Sequence, residues 1–260
     1  MKLCDSHTHI DQYSSLELPG ILQRAMDSKV SLIIAAGTTI ASSKKCINLS
    51  TQYPLIKAGV GIHPTEVQSF FDDSIISTLN QLVKNNPQVV CMSETGMDYL
   101  PGSPDKHMQE QAFREQIRIG IQNNKPIIFH SREAHEDTFR ILSEEKVYSV
   151  GGIMHYFQGD IITALKAIEL GCFISIARPL LRLPELETTV KHIPIKNIVL
   201  ETDCYPQPFK KHRSSWTEPR HLMDIASKLA AIKGLTVEEV ASITTNNLPV
   251  SYTHLRAHET

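Results

Sequence analysis

The 260-residue sequence has no long hydrophobic run. Its longest apolar stretches, Val30 to Ala36 and Pro126 to Phe129, fall far short of the roughly 20 residues that a membrane-spanning helix needs. No basic segment leads into an apolar signal region at the N-terminus, so the chain is expected to be cytoplasmic and away from membranes. Charge of either sign is also not in excess. A net charge of −2 excludes broad, sequence-independent coating of nucleic acid, but not a phosphate-bearing substrate, because a local positive site or bound divalent ions can supply the attraction. Cysteine is sparse and odd in number, with five residues. Cys4, Cys91, Cys172 and Cys204 fall in or beside strand-like runs, which suits reduced, buried thiols and excludes a disulfide framework. Internal repeats, low-complexity tracts and interdomain linkers are lacking too.

What is present is an ordinary globular composition, 41% hydrophobic and 21% charged, with a regular alternation of patterns. Short runs rich in Val, Ile and Ala occur at Lys2 to Asp5, Ser31 to Ala36, Ile56 to Ile62, Val89 to Glu94, Ile127 to His130, Gly152 to His155, Cys172 to Ile176 and Asn197 to Thr202. Helix-spaced apolar residues fill Leu18 to Ser28, Ala41 to Gln52, Ser74 to Asn85, Lys106 to Asn123, Ala134 to Glu145, Asp160 to Leu170, Pro184 to His192 and Glu218 to Ile232. Strands alternating with helices predict parallel βαβ units, and eight of them predict a single-domain (β/α)8 TIM-type barrel over residues 1–248. Several strands are apolar throughout, as expected when both faces are covered.

Active sites of such barrels lie at the C-terminal ends of the strands. His7 and His9, two apart on the first strand, are expected to share a face and chelate one ion. Glu94, His130, His155 and Asp203 end strands four, five, six and eight, and His63 ends strand three. Four imidazoles and two carboxylates on one rim match the ligand set of a two-metal hydrolase, since a metal satisfies several buried polar groups at once. A lone histidine of this kind would read as a structural hydrogen-bonding residue. Mixed imidazole and carboxylate ligation suits zinc, manganese or iron better than a pure magnesium cage. Asp5 is either an acceptor for an imidazole N–H or a strand-end charge.

The segments His7-Thr8-His9-Ile10-Asp11, Gly61-Ile62-His63-Pro64, Glu94-Thr95-Gly96-Met97-Asp98-Tyr99, Phe129-His130-Ser131-Arg132, His155-Tyr156-Phe157-Gln158-Gly159 and Glu201-Thr202-Asp203 resemble, in order and spacing, the TatD-type metal-dependent deoxyribonucleases of the amidohydrolase-like barrels. Gln109, Phe113, Gln116 and Thr244-Thr245-Asn246 extend the likeness, which runs to about residue 247. The resemblance implies that His7, His9 and Asp203 hold one divalent ion, that His130 and His155 hold another, and that Glu94 bridges them. Two ions per chain (Mg, Mn or Zn) are expected. It also implies hydrolysis of DNA phosphodiesters, as an exonuclease most often acting from the 3′ end. The expected partner is a DNA substrate, single-stranded DNA included, and no obligatory protein partner is evident in the sequence.

Asp203 and Glu94 are the candidate catalytic residues. Asp203 is read either as the general base or as a ligand alone. His63, Arg132 and Tyr99 are candidate substrate contacts. For Arg132 the alternative is an ion pair with Glu133 or Glu136, and for Tyr99 it is loop packing. Lys210-Lys211-His212-Arg213 is read either as an electrostatic mouth or as a solvated loop. A rival function is hydrolysis of another ester or an amide, such as deacylation of misacylated tRNA. Barrels of that branch often carry a bridging lysine on strand four, where this chain has Glu94.

Two places depart from the family pattern. Thr217-Glu218-Pro219 stands where Asn-Glu-Pro is usual, and Ala177-Arg178-Pro179 where a small-residue turn with Gly is common. Residues 249–260, PVSYTHLRAHET, have neither helical periodicity nor cap signals and read as a non-native or disordered extension.

Overall fold

The computed structural model describes residues 1–248, and the expectation for 249–260 lies outside them. Among the described residues the chain runs β1 Leu3–Thr8, α1 Leu18–Asp27, β2 Val30–Ala35, α2 Ile40–Gln52, β3 Ile56–Val60, α3 Asp73–Lys84, β4 Val89–Asp98 and α4 Lys106–Gln122. It continues with β5 Ile127–Arg132, α5 His135–Glu144, β6 Gly152–Met154, α6 Ile161–Glu169, β7 Cys172–Ile176, α7 Pro184–His192, β8 Ile198–Leu200, α8 Leu222–Lys233 and α9 Val237–Asn247. The strands form one eight-stranded sheet in the order β1 to β8. Beyond β8, Asp203 N–H donates to His7 O at 3.0 Å and His9 N–H to Cys204 O at 2.9 Å, so the last strand leads back onto the first. A parallel sheet in chain order whose last strand returns to the first is the (β/α)8 barrel topology. No described helix is long and apolar enough to cross a membrane.

The chain divides into two compact units. The first is Met1–Ala35, Tyr156–Ala164 and Ile174–Thr260, described to Leu248. In it β1 pairs with β2 and β7 with β8, both parallel. Its core includes Leu3, Ile10, Ile21 and Ile33, all fully buried. The second is Ala36–His155 with Leu165–Phe173. It holds β3 to β6 in parallel register, over a core in which the rings of Phe113 and Phe129 lie 6.5 Å apart. All residues of β1 and β4 are buried, which is why neither strand shows an alternating polar face.

Three elements depart most from the sequence expectation. β4 does not stop at Glu94 but continues to Asp98. The polar run Ser93 to Asp98 resembles a loop in sequence, yet Gly96, at φ +133°, lets β4 close against β5 where any Cβ would come within 2.0 Å of His130 O. α9 was not expected, although its start is marked: Thr236 and Glu239 form a reciprocal capping box. The helix expected from Glu218 begins only at Leu222, after a 3-10 turn over Pro219–His221.

Candidate metal centre

In the second unit, the strand ends gather three imidazoles around one carboxylate. Gly96 stands opposite His130 in the β4–β5 register and Asp98 opposite Arg132. Glu94, Gly96 and Asp98 therefore alternate along one face of β4, and the absent side chain at Gly96 leaves room for the His130 backbone, whose ring reaches both acids. Nδ1 of His130 lies 3.4 Å from Glu94 Oε1, and its Nε2 lies 2.9 Å from Asp98 Oδ2. His63 Nε2 approaches the same Glu94 oxygen at 3.3 Å and His155 Nε2 at 3.4 Å. His63, Glu94 and His130 each offer one ligand atom within 4.8 Å of the others. That donor set, imidazole nitrogens around a carboxylate oxygen, fits a divalent cation such as zinc or manganese.

Hydrogen bonds from outside the cluster fix these groups. Gln116 on α4 grips the strand end before His63, its Oε1 accepting from Ile62 N–H at 2.7 Å and its Nε2 donating to Ile62 O at 3.1 Å. Gln109 does the same for Asp98, at 2.8 Å in both directions. Asp98 is fully buried. Burial alone would raise its pKa, but His130, the Leu100 N–H, Arg132 and the Ser103 hydroxyl together hold the carboxyl well below its usual range. For His130, burial works against the cation, yet the neighbouring carboxylates of Asp98 and Glu94 win and raise its pKa.

In the first unit, β1 and the segment after β8 bring a second set together. His9 Nε2 lies 3.3 Å from Asp203 Oδ1, and His7 Nε2 lies 3.9 Å from it. β1 ends at Thr8, so His9 leads a 3-10 turn instead of continuing the strand, and the two rings meet edge to face at 5.1 Å. Asp203 sits at φ +48°, a left-handed conformation that Asp tolerates better than most residues. Among the described residues the Asp5 carboxylate bonds no imidazole; it accepts from Thr202 N–H at 2.9 Å and Oγ1 at 2.6 Å, tying β1 to the segment that carries Asp203. Burial pushes the Asp5 carboxyl well up.

The candidate substrate contacts fall in different places. His63 belongs to the imidazole group around Glu94, with its Nδ1 2.7 Å from Thr65 Oγ1. Arg132 pairs with Asp98, Nη2 at 2.6 Å, and not with Glu133 or Glu136, while its side chain remains 50% exposed. The Tyr99 hydroxyl donates to Asp137 at 2.8 Å. The basic run 210–213 splits, because Arg213 pairs with Glu17 and Glu218 and lies over the rings of Tyr13 and Trp216.

The sequence motifs do not single out Asp98 by itself. Nor do they single out Glu201, whose buried carboxylate accepts from Tyr156 N–H at 2.7 Å and from Ser175 Oγ at 2.6 Å. For Asp98 the signal in the sequence is an acidic residue two past a glycine, in the polar run that ends β4.

Comparison with known proteins places this arrangement among relatives. Residues 4–253 match the family described as TatD related DNase. Metal-dependent hydrolase YcfH of Escherichia coli (strain K12) is 34% identical over 254 residues, covering 95% of this chain and 94% of that protein. Metal-dependent hydrolase YabD of Bacillus subtilis (strain 168) is 32% identical, covering 94% and 96%. Human deoxyribonuclease TATDN3 is 28% identical over 98% of this chain and 96% of its own length. Among solved structures, the TatD homologue YJJV of Escherichia coli superposes with a TM-score of 0.86 at 23% identity, covering 95% of this chain and 96% of that one, which establishes the single-domain (β/α)8 barrel as the fold.

Proposed function

Because this chain belongs to the TatD family of metal-dependent hydrolases, we propose that it is a deoxyribonuclease, working from a strand end and held in the cytoplasm. The observation that carries this reading is the convergence of His63, His130 and His155 on the single Glu94 oxygen within 3.3–3.4 Å. The name of the human relative, a deoxyribonuclease, supports the choice of DNA. Location inside the cell is supported by five buried thiols.

In this reading His7, His9, Glu94, His130, His155 and Asp203 would hold two divalent ions. Ions bound there would supply Lewis acidity, to activate a water and neutralise charge that grows on the phosphoryl oxygens. Asp203 accepts the proton of the attacking water. Asp98 is the positioning residue for both His130 and Arg132, since one buried carboxylate takes hydrogen bonds from each. Arg132, so anchored, turns its exposed edge to a phosphate oxygen, for which the planar guanidinium is well shaped. The Tyr99 ring offers a face to a base while its hydroxyl stays bonded to Asp137.

The test is chelator-stripped protein reloaded with Mg²⁺, Mn²⁺ or Zn²⁺ and given single-stranded DNA labelled separately at each end, beside Asp203→Asn. Metal-dependent cleavage that vanishes in the variant is expected, with products that shorten from one labelled end. Two bound ions per chain with intact DNA would sink the substrate assignment and turn attention to esters and amides, aminoacyl-tRNA included.

A further inference from the structure

Within the first unit, a cavity of about 350 Å³ opens between the segments after β7 and β8. Arg178, Arg182 and Lys210 line it together with Tyr156, Tyr205 and Phe209. Three cations and three aromatic rings in one hollow are unexpected in a chain whose net charge is −2. Among the described residues none of the three cations is held by an ion pair. Arg178 Nη1 donates to Thr217 Oγ1 at 3.2 Å and Lys210 Nζ to Ser215 O at 3.0 Å, both neutral acceptors. Like charges gathered without an acid repel one another, and an anion between them would relieve that repulsion. The ammonium of Lys210 records the strain: burial first, then Arg178 and Arg182, push its pKa down.

The aromatic half of the cavity is equally open. Phe209 is 72% exposed, a large apolar ring left at the rim. Flat rings beside guanidinium groups suit a base joined to a phosphate, since every base has a face to stack and the phosphate takes the charge. A volume near 350 Å³ is at the small end of ligand pockets, enough for one nucleotide unit.

The bond from Arg178 to Thr217 links the segments after β7 and β8 across the cavity wall. Thr217 is held in place by two further bonds, its N–H to Gln207 Oε1 at 2.9 Å and its carbonyl to the Tyr13 hydroxyl at 2.7 Å. The cavity also borders the metal ligands in sequence: Tyr205 is two residues past Asp203, and Tyr156 follows His155.

We propose that Arg178, Arg182 and Lys210, with Tyr205 and Phe209, form a nucleotide subsite that holds one phosphate and its base on the substrate strand beside the scissile bond. This rests on the nuclease reading for its place in catalysis, but the binding it asserts does not need cleavage. The test uses metal-loaded, full-length protein and titrates 2′-deoxyadenosine 5′-monophosphate, 2′-deoxyadenosine and inorganic phosphate by calorimetry. The monophosphate should bind more tightly than either fragment, and Arg182→Ala should raise its Kd at least tenfold. Because Arg182 is exposed, that variant should keep the wild-type melting temperature. Lys210→Gln, if it weakens the monophosphate and leaves deoxyadenosine as it was, gives independent support. No binding to the wild type, an unchanged Kd in both variants, or deoxyadenosine binding as tightly as its monophosphate would each overturn the subsite. Monophosphate binding that depends on Arg182, found together with intact DNA in the end-labelled assay, upholds the subsite and sinks the nuclease reading alone. DNA cleavage with a Kd indifferent to both variants does the reverse.

Discussion

The Glu94 cluster and the Arg178 cavity solve opposite electrostatic problems. Around Glu94 the chain supplies both signs: Glu94 and Asp98 flank His130, and Arg132 completes the balance. Around Arg178 the charged side chains that line the cavity are all cations, set among aromatic rings and the neutral Leu181, Gln207 and Thr217. An acid is close by, but Glu218 is already taken by Arg24 at 2.8 Å, Arg213 at 3.0 Å and Arg220 at 3.3 Å. The difference teaches that a matched set of donors and acceptors can be packed tightly and locked by Gln109 and Gln116, whereas an unmatched set stays open to solvent until something anionic enters.

The largest effect should come from removing the centre of the matched set. Glu94→Ala is expected to abolish bound metal and lower hydrolysis by more than about 10²-fold, because even the outer partners of metal ligands are worth 10- to 100-fold. Metal content by atomic emission, read beside rate, checks it, and a variant that keeps both would remove Glu94 from the site. Asp98→Asn should cost about 10- to 100-fold in metal affinity, with the His130 ring resonances shifted in NMR spectra. A purely structural Asp98 would lower the melting temperature and leave those resonances in place.

Gly96→Ala tests the close packing that makes room for His130. A Cβ there would lie 2.0 Å from His130 O, on a residue at φ +133°. Strain and overpacking together should cost about 1–3 kcal/mol or more, read as a lower midpoint in urea. A wild-type midpoint would mean that the β4–β5 contact is looser than described.

The smallest effect concerns the acid that the cationic cavity lacks. Burial would raise the Glu218 pKa, but Arg24 first, then Arg213 and Arg220, bring it below the usual value. A carboxyl with a depressed folded-state pKa contributes stability that is fully present above its unfolded value, about 4.3, and is lost as pH falls through the folded value. Glu218→Gln should therefore lower stability at pH 7 by about 1–3 kcal/mol and flatten the acid limb of the melting-temperature profile. An acid limb identical to wild type would show that the Arg24–Glu218 contact carries no net stabilisation.

Much of the frame was legible before any coordinate. All eight expected strands exist; His7 and His130 lie in the C-terminal halves of β1 and β5 and His9, His155 and Asp203 just past β1, β6 and β8, while Glu94 falls inside β4, which runs on to Asp98. These features are local: an apolar run of the right length makes a strand, and a polar residue at its end announces itself. α9 could have been read from Thr236 and Glu239. The far end of β4 could not, because Ser93 to Asp98 becomes strand only when β5 lies against Gly96.

By itself, then, the sequence determined the alternation of strands and helices and which imidazoles and carboxylates stand at strand ends, because hydrophobic periodicity and turn chemistry act between near neighbours. Tertiary structure alone decided their partners. His130 finds Asp98 across 32 residues, Arg178 finds Thr217 across 39, and Thr202 finds Asp5 across 197. Such pairings depend on which strand ends the fold brings side by side, and hydrogen bonds of about 3 Å are too short-ranged to be foretold from spacing along the chain.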